Sequence, residues 1–171
     1  MLVVIAGLPG TGKSVLAREI LRVSPGVCLD KDAIRPVLFT ASEVDYTPAQ
    51  DDVCMEAMLL AADYLFRKDP ARLILLDGRA FARRPELERV IRWAQAAGVE
   101  WRIVECVCSD EVARERLERD RATHPARNRD FDLYRRLKAI HDPILFPHVV
   151  VDTNRPVEEC GRVTLEAIRE R

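Results

Sequence analysis

No stretch of the 171 residues approaches the ~18 consecutive apolar positions that a membrane-spanning helix needs, so no membrane role is expected. The opening MLVVIAGLPG is apolar but short, and it lacks the basic leader and cleavage site of a secretory signal. An excess of one charge sign is also missing. Lys and Arg number 27 against 28 Asp and Glu, a formal net charge of -1, so no global basic excess advertises a nucleic-acid surface. Aromatic residues are scarce at 6% while hydrophobic residues reach 48%, which predicts a sizeable aliphatic core. The five cysteines, Cys28, Cys54, Cys106, Cys108 and Cys160, are odd in number and scattered. Cys106 and Cys108 share one face of a predicted strand, but a metal site would want a second close-spaced pair. Free buried thiols in a reducing cytoplasm are the expectation. Repeats, low-complexity tracts and linkers are absent, and the length suits one domain over residues 1–171.

What is present is an alternation. LVVIA (2–6), GVCL (26–29), RLILLDG (72–78), WRIVECVC (101–108) and HVVVD (148–152) read as five strands. Helices are predicted between them. One runs from about Lys13 to Val23, and a short one covers 31–39, where Pro36 could only sit in the first turn or mark a break. Thr47 caps the next, with Pro48 at its first position. Val53, Ala57, Leu60, Ala61 and Tyr64 repeat along it at helical spacing. Another opens at Pro85 and ends near Gly98. Ser109 caps the one that follows, 130–142 resumes after a break, and a last helix runs from about Pro156 to the end. Strands alternating with helices imply a parallel sheet covered on both faces, an α/β domain.

After the first strand comes GLPGTGKS, residues 7–14. Gly7, Gly12, Lys13 and Ser14 fill the G-x-x-x-x-G-K-[ST] pattern. Glycines let backbone N–H groups turn inward around phosphate oxygens, and the helix starting at Lys13 adds its positive end. Lys13 is expected to reach the β and γ phosphates of a nucleoside triphosphate and the Ser14 hydroxyl to meet Mg²⁺. Gly7, Leu8, Pro9, Gly10, Thr11, Gly12, Lys13, Ser14 and Val15 form the expected nucleotide-binding segment. A guanine-specifying N-K-x-D motif is absent, and the third strand ends in a single acid, Asp77, rather than the acidic pair of a motor ATPase. The short chain favours a small kinase using ATP and Mg²⁺.

The second strand runs into LDKDAIRPVLF, residues 29–39. Ligands of doubly wound sheets sit at the carboxyl ends of the strands, so Asp30 and Asp32 are delivered to that edge. An acceptor hydroxyl needs a carboxylate to take its proton, and the transferring phosphoryl group needs cations. Asp32 and Arg35, one helical turn apart, offer both. Asp30 is a helix cap or a supporting group.

These segments together with LILLDGRAFARRPELERVIRWAQAAGVEWRIVEC and ARERLERDR make the chain resemble the small P-loop kinases that include polynucleotide 5′-kinases, zeta toxins, gluconate kinases and chloramphenicol phosphotransferase. The resemblance covers nearly the whole length. It implies a three-layer P-loop NTPase fold, sheet order 2-3-1-4-5, with a helical lid at about 114–138. It makes Asp32 the general base and Arg35 a contact to the acceptor. Asp77 would hold Mg²⁺ or its water. Where such kinases follow the third strand with D-x-T-N or D-G-T, this chain has DGRAF, so Arg79 stands in the acceptor region in place of a small polar residue. Arg83 or Arg84 occupies the region where relatives carry an arginine.

The segment ARERLERDRATHPARNRDFDLYRRLK concentrates basic residues around a proline-broken polar loop, as a closing lid would. In relatives the helix-end arginines stack on adenine or touch phosphates, which here implies Arg116 and Arg119. Arg127 and Arg129 are expected at ATP or the acceptor. His124 is expected to pack or cap within the lid, and His141 and His148 receive no role. Thr153 and Asn154, after the fifth strand, are placed either along the adenine or as ordinary caps. The expected acceptor is a small-molecule hydroxyl of sugar, nucleoside or antibiotic type. A polynucleotide 5′ end is the alternative, a zeta-like nucleotide-sugar kinase or a non-catalytic ATP-binding switch stands behind it, and the oligomeric state is not legible.

Overall fold

The computed structural model describes residues 1–120 and 128–170. Along the chain it has β1 (Leu2–Ala6), α1 (Lys13–Val23), β2 (Val27–Asp30), α2 (Lys31–Leu38), α3 (Pro48–Lys68), β3 (Ile74–Asp77), α4 (Arg84–Ala96), β4 (Trp101–Val107), α5 (Asp110–Asp120), α6 (Phe131–Ala139), β5 (Val149–Asp152) and α7 (Val157–Arg169). Arg121, His124 and Arg127 of the expected lid lie outside the described residues.

All five strands are parallel, in the order β2-β3-β1-β4-β5. The central strand β1 is buried along its whole length, which is why it reads as an unbroken apolar run. Its side chains alternate between two cores. Leu2, Val4 and Ala6 join Met55, Met58, Phe66 and Ile91 from α3 and α4. Val3 and Ile5 join Leu16, Ile20, Leu165 and Ile168 from α1 and α7. Helices thus cover both faces, and every strand points its carboxyl end at one edge.

One expectation is corrected. Pro36 lies in the second turn of α2 rather than in its first turn or at a break. The helix continues because Lys31 and Arg35 are buried and paired to α3, which holds it across the missing backbone donor. It ends two residues later. On α3, Val53, Leu60 and Tyr64 are exposed, and the inward stripe is Cys54, Met55, Met58, Leu59, Ala62 and Phe66. The helix carries two apolar stripes, and the one with larger side chains contributes more on burial. Among the described residues no helix is long and apolar enough to cross a membrane, and all five cysteines are free thiols.

The turn into the phosphate loop depends on one glycine. Gly7 has φ +132°, and a Cβ there would lie 2.4 Å from the carbonyl oxygen of Cys106. Gly7→Ala is expected to lower unfolding stability by about 3 kcal/mol, from left-handed strain plus a backbone clash. The urea midpoint at unchanged m would report it.

Candidate active site

The loop between β1 and α1 is held from three sides. Thr11 Oγ1 donates to the Leu8 carbonyl at 2.8 Å, and the Gly7 amide donates to Ala80 at 3.1 Å. Thr153, just beyond β5, is buried with its hydroxyl 2.9 Å from the Thr11 carbonyl and 3.1 Å from that of Val107. Arg116 of α5 donates to the Thr153 hydroxyl at 3.0 Å and to its carbonyl at 2.7 Å. The Thr153 hydroxyl is therefore spent on straps that brace the loop, rather than turned toward a base. Asn154 folds onto Asp152, with its amide nitrogen 2.7 Å from Oδ1.

Lys13 starts α1 and is buried. Its ammonium donates to the carbonyls of Gly7 at 2.7 Å and Leu8 at 2.9 Å. Burial, and next the charge of Arg129, pull its pKa down to about 8, against the opposing pull of Asp77 and Asp32.

Two acids end adjacent strands side by side. Asp30 of β2 is in register with Asp77 of β3. Asp30 caps α2, accepting from the Asp32 amide at 2.8 Å, which decides between the two roles open to it. Burial and the neighbouring Asp77 charge raise its pKa. Asp77 is 2% exposed, and its Oδ1 has no hydrogen-bond partner among the described residues. Gly78 permits this closeness: with φ +88°, a Cβ there would meet Asp30 Oδ1 at 2.5 Å.

Asp32 opens α2 and faces two cations, Arg35 at 3.4 Å and Lys31 at 3.5 Å. Both also converge on Asp51 of α3, Lys31 at 2.8 Å and Arg35 in a shorter contact. The Arg35 guanidinium is 4.8 Å from the Tyr46 ring centroid. Tyr46 holds φ +55°, and the buried Gln50 fixes that turn through its side-chain contacts to Glu43, Asp45 and Tyr46. Arg79 is buried between Asp52 at 2.7 Å and Glu86 at 3.0 Å. Its loop is pinned by Phe81, a buried side chain on a backbone with φ +54°. Sequence reading missed Lys31, Asp51, Asp52 and Glu86. An acid in the first turn of a helix is an ordinary partner of its dipole, so Asp51 carried no distinguishing signal.

These groups line two cavities. One of about 560 Å³ runs from Gly10, Gly12 and Ser14 to Arg116, Arg119 and Thr153. The other, about 280 Å³, is lined by Lys13, Asp32, Arg35, Asp51, Arg79 and Arg83, among others. Ser14 and Arg129 line both. Burial lowers the Arg129 pKa, while Asp32, Asp77 and Asp30 are among the charges that raise it. Of the other lid arginines, Arg119 is exposed beside Asp120 at 3.0 Å, and Arg114 lies over Phe131 at 4.2 Å. Tyr134 donates to Asp110 at 2.6 Å, fastening α6 to α5.

The AAA domain family profile matches residues 2–142. No curated protein matches the chain. Several solved structures share the fold. APS kinase CysC of Mycobacterium tuberculosis, in complex with AMPPNP and APS, is 16% identical with TM-score 0.72 over 99% of this chain and 97% of that one. A gluconokinase of Sinorhizobium meliloti 1021 is 16% identical with TM-score 0.66, covering 98% of this chain and 90% of its own. Kti12 of Chaetomium thermophilum, in complex with ADP-AlF3, is 18% identical with TM-score 0.70, covering 99% and 97%. With the G-x-x-x-x-G-K-S loop between β1 and α1 and the 2-3-1-4-5 sheet in place, the chain belongs to the AAA domain family and is built as a P-loop kinase-like domain.

Proposed function

We propose that the protein is an ATP- and Mg²⁺-dependent kinase that transfers the γ phosphate to a hydroxyl of a small molecule. The observation that carries this reading is the shared wall of the two cavities. Lys13, Asp32 and Arg129 line the smaller one, and Ser14 and Arg129 open it onto the larger, which follows the phosphate loop. A triphosphate laid along the loop would bring its γ phosphate to that junction. An acceptor of modest size would lie beyond it. AMPPNP on the APS kinase and ADP-AlF3 on Kti12 support a nucleotide in this fold.

In this reading Lys13 and the loop amides bind the β and γ phosphates. Asp32 orients the acceptor hydroxyl and takes its proton as the oxygen–phosphorus bond forms. The bond from phosphorus to the β-γ bridging oxygen breaks, and ADP leaves. Arg129 offsets charge on the transferring group. Arg116 acts from behind by holding Thr153 and the loop. The residues fit a bound Mg²⁺. Asp77 has a buried, unpartnered carboxylate oxygen and Ser14 supplies a hydroxyl, a sparse donor set of the kind Mg²⁺ uses beside phosphates and water. When bound, Mg²⁺ neutralises negative charge on the β and γ oxygens.

The test is transfer of γ-labelled phosphate from ATP into a fractionated cell extract. Label in a small-molecule fraction is expected. Label on nucleic-acid 5′ ends would point instead to a polynucleotide kinase. ATP binding with no label in any fraction would count against transfer and for a nucleotide-dependent switch.

A pH dependence follows from Lys13. Its ligand-free pKa of about 8 lies below the ordinary lysine value, and bound phosphates would raise it. Below pH 8 the ammonium is already charged and binding moves no proton. Above it, binding must take one up, so ATP affinity falls as pH rises through that value. Calorimetry in buffers of different ionisation enthalpy should show proton uptake growing between pH 7 and pH 9.

A further inference from the structure

The outer face of α3 is apolar where a surface helix is ordinarily polar. Val53, Leu60 and Tyr64 are 52%, 71% and 58% exposed. At about 100° per residue they project within about 40° of one another, with Ala57 beside them. Tyr64 stays open although the Lys68 ammonium lies 5.0 Å from its ring centroid. Single exposed apolar residues are ordinary, but a contiguous stripe marks an interaction surface. The stripe points away from Asp51, Met55, Met58 and Ala62, which lie on the opposite side of the helix. A partner seated there would leave both cavities open. Charge along one flank of the stripe changes sign. Glu56 lies toward the N-terminal end and Arg67 toward the C-terminal end, on the same flank. Glu56 meets Arg89, and Arg67 meets Asp63 at 2.9 Å. Both side chains remain exposed, so each can take a second partner. An acid near one end and a base near the other suit a two-fold contact between identical antiparallel helices, which sets each end against the other. With the axis between Ala61 and Ala62, Glu56 of one copy is level with Arg67 of the other, and Leu60 is within about 1.5 Å of level with Tyr64. A parallel pairing would set Glu56 against Glu56 and Arg67 against Arg67.

We propose that the outer face of α3 is a self-association surface on which a second copy of this chain packs antiparallel, with Leu60 against Tyr64 at its centre and Glu56 paired with Arg67 on its rim. The experiment is sedimentation equilibrium on the full chain. One helix from each copy buries less than the roughly 800 Å² per partner of a standard interface, so the expected result is a reversible dimer. Loading concentrations of about 1–500 µM bracket its expected Kd of about 1–100 µM. Leu60→Asp, at a side chain already open to water, should weaken the dimer by about tenfold or more and leave thermal unfolding of the dilute monomer unmoved. Arg67→Glu sets Glu56 of the other copy against a like charge and should weaken the dimer by about threefold to tenfold. Adding Glu56→Arg to that variant restores the attraction with the signs exchanged, and the Kd should return close to that of the unsubstituted protein. A loss caused only by damage to α3 would not recover. A chain that stays monomeric at every concentration would overturn the proposal and leave the stripe to a different protein. A dimer insensitive to Leu60→Asp would overturn it by placing the contact elsewhere, and a double variant as weak as Arg67→Glu alone would overturn the antiparallel pairing. None of these measurements involves nucleotide or acceptor, so failure of the kinase reading would leave this inference standing.

Discussion

Asp32→Asn is expected to lower kcat by about 10²–10⁴-fold, the range supplied by a positioned general base, with ATP affinity nearly unchanged. Asparagine keeps the size of the side chain and its place at the head of α2. It can still accept from Arg35 and Lys31, which lie 3.4 and 3.5 Å from Asp32 Oδ1. It cannot take a proton. Asp32 also stands apart from the cap of its own helix, because Asp30 does that work, so little stability should be lost. The check is single-turnover transfer, with nucleotide binding measured separately on the same preparation. A variant that binds ATP and transfers at the full rate would remove Asp32 from the base role. One that fails to bind ATP would show that the residue serves the phosphate side instead.

Lys13→Met should show two effects of opposite sign. Transfer falls by about 10²–10³-fold or more, the scale of losing one preorganised donor to a developing oxyanion, and ATP binding weakens with it. The ligand-free protein, however, should become no less stable near neutral pH, because methionine removes a buried cation whose hydration was lost on folding. The pH dependence fixes the sign. The folded pKa of about 8 lies below the model-peptide value of 10.5, so the folded protein holds fewer protons than the unfolded chain between those values. Stability of the unsubstituted protein should therefore rise with pH across that window, by on the order of 2–3 kcal/mol. The Met variant should lack the rise. Urea titrations at pH 7.5 and pH 10 on both proteins decide it. A parallel rise in the two would place its origin elsewhere.

The phosphate loop was readable in the residues because its chemistry is local. Eight consecutive positions carry the glycines, the lysine and the hydroxyl, and the flanking strand and helix announce themselves by apolar periodicity. Asp32 and Asp77 were readable for a related reason: Asp77 closes β3 and Asp32 follows the end of β2 by two residues, and strand ends of a parallel sheet converge on one edge. The limits of Pro36 and of the α3 stripe show where local reasoning stops. A proline signals a break by the donor it removes, yet α2 runs through it because two buried cations tie the helix to α3. Two apolar stripes on α3 look alike as patterns, and only the volume of the core they face separates them.

By its sequence alone the chain determines an α/β domain with a phosphate loop and a carboxylate delivered to the same edge. The character of the smaller cavity was decided in three dimensions. Asp51 meets Lys31 and Arg35 from 20 and 16 residues away, and Asp52 meets Arg79 across 27. Those pairings depend on how α3 is rotated against the sheet. That rotation is set by packing of methionine, leucine and phenylalanine on its other side, so the charge of the cavity follows from the core rather than from any spacing along the chain.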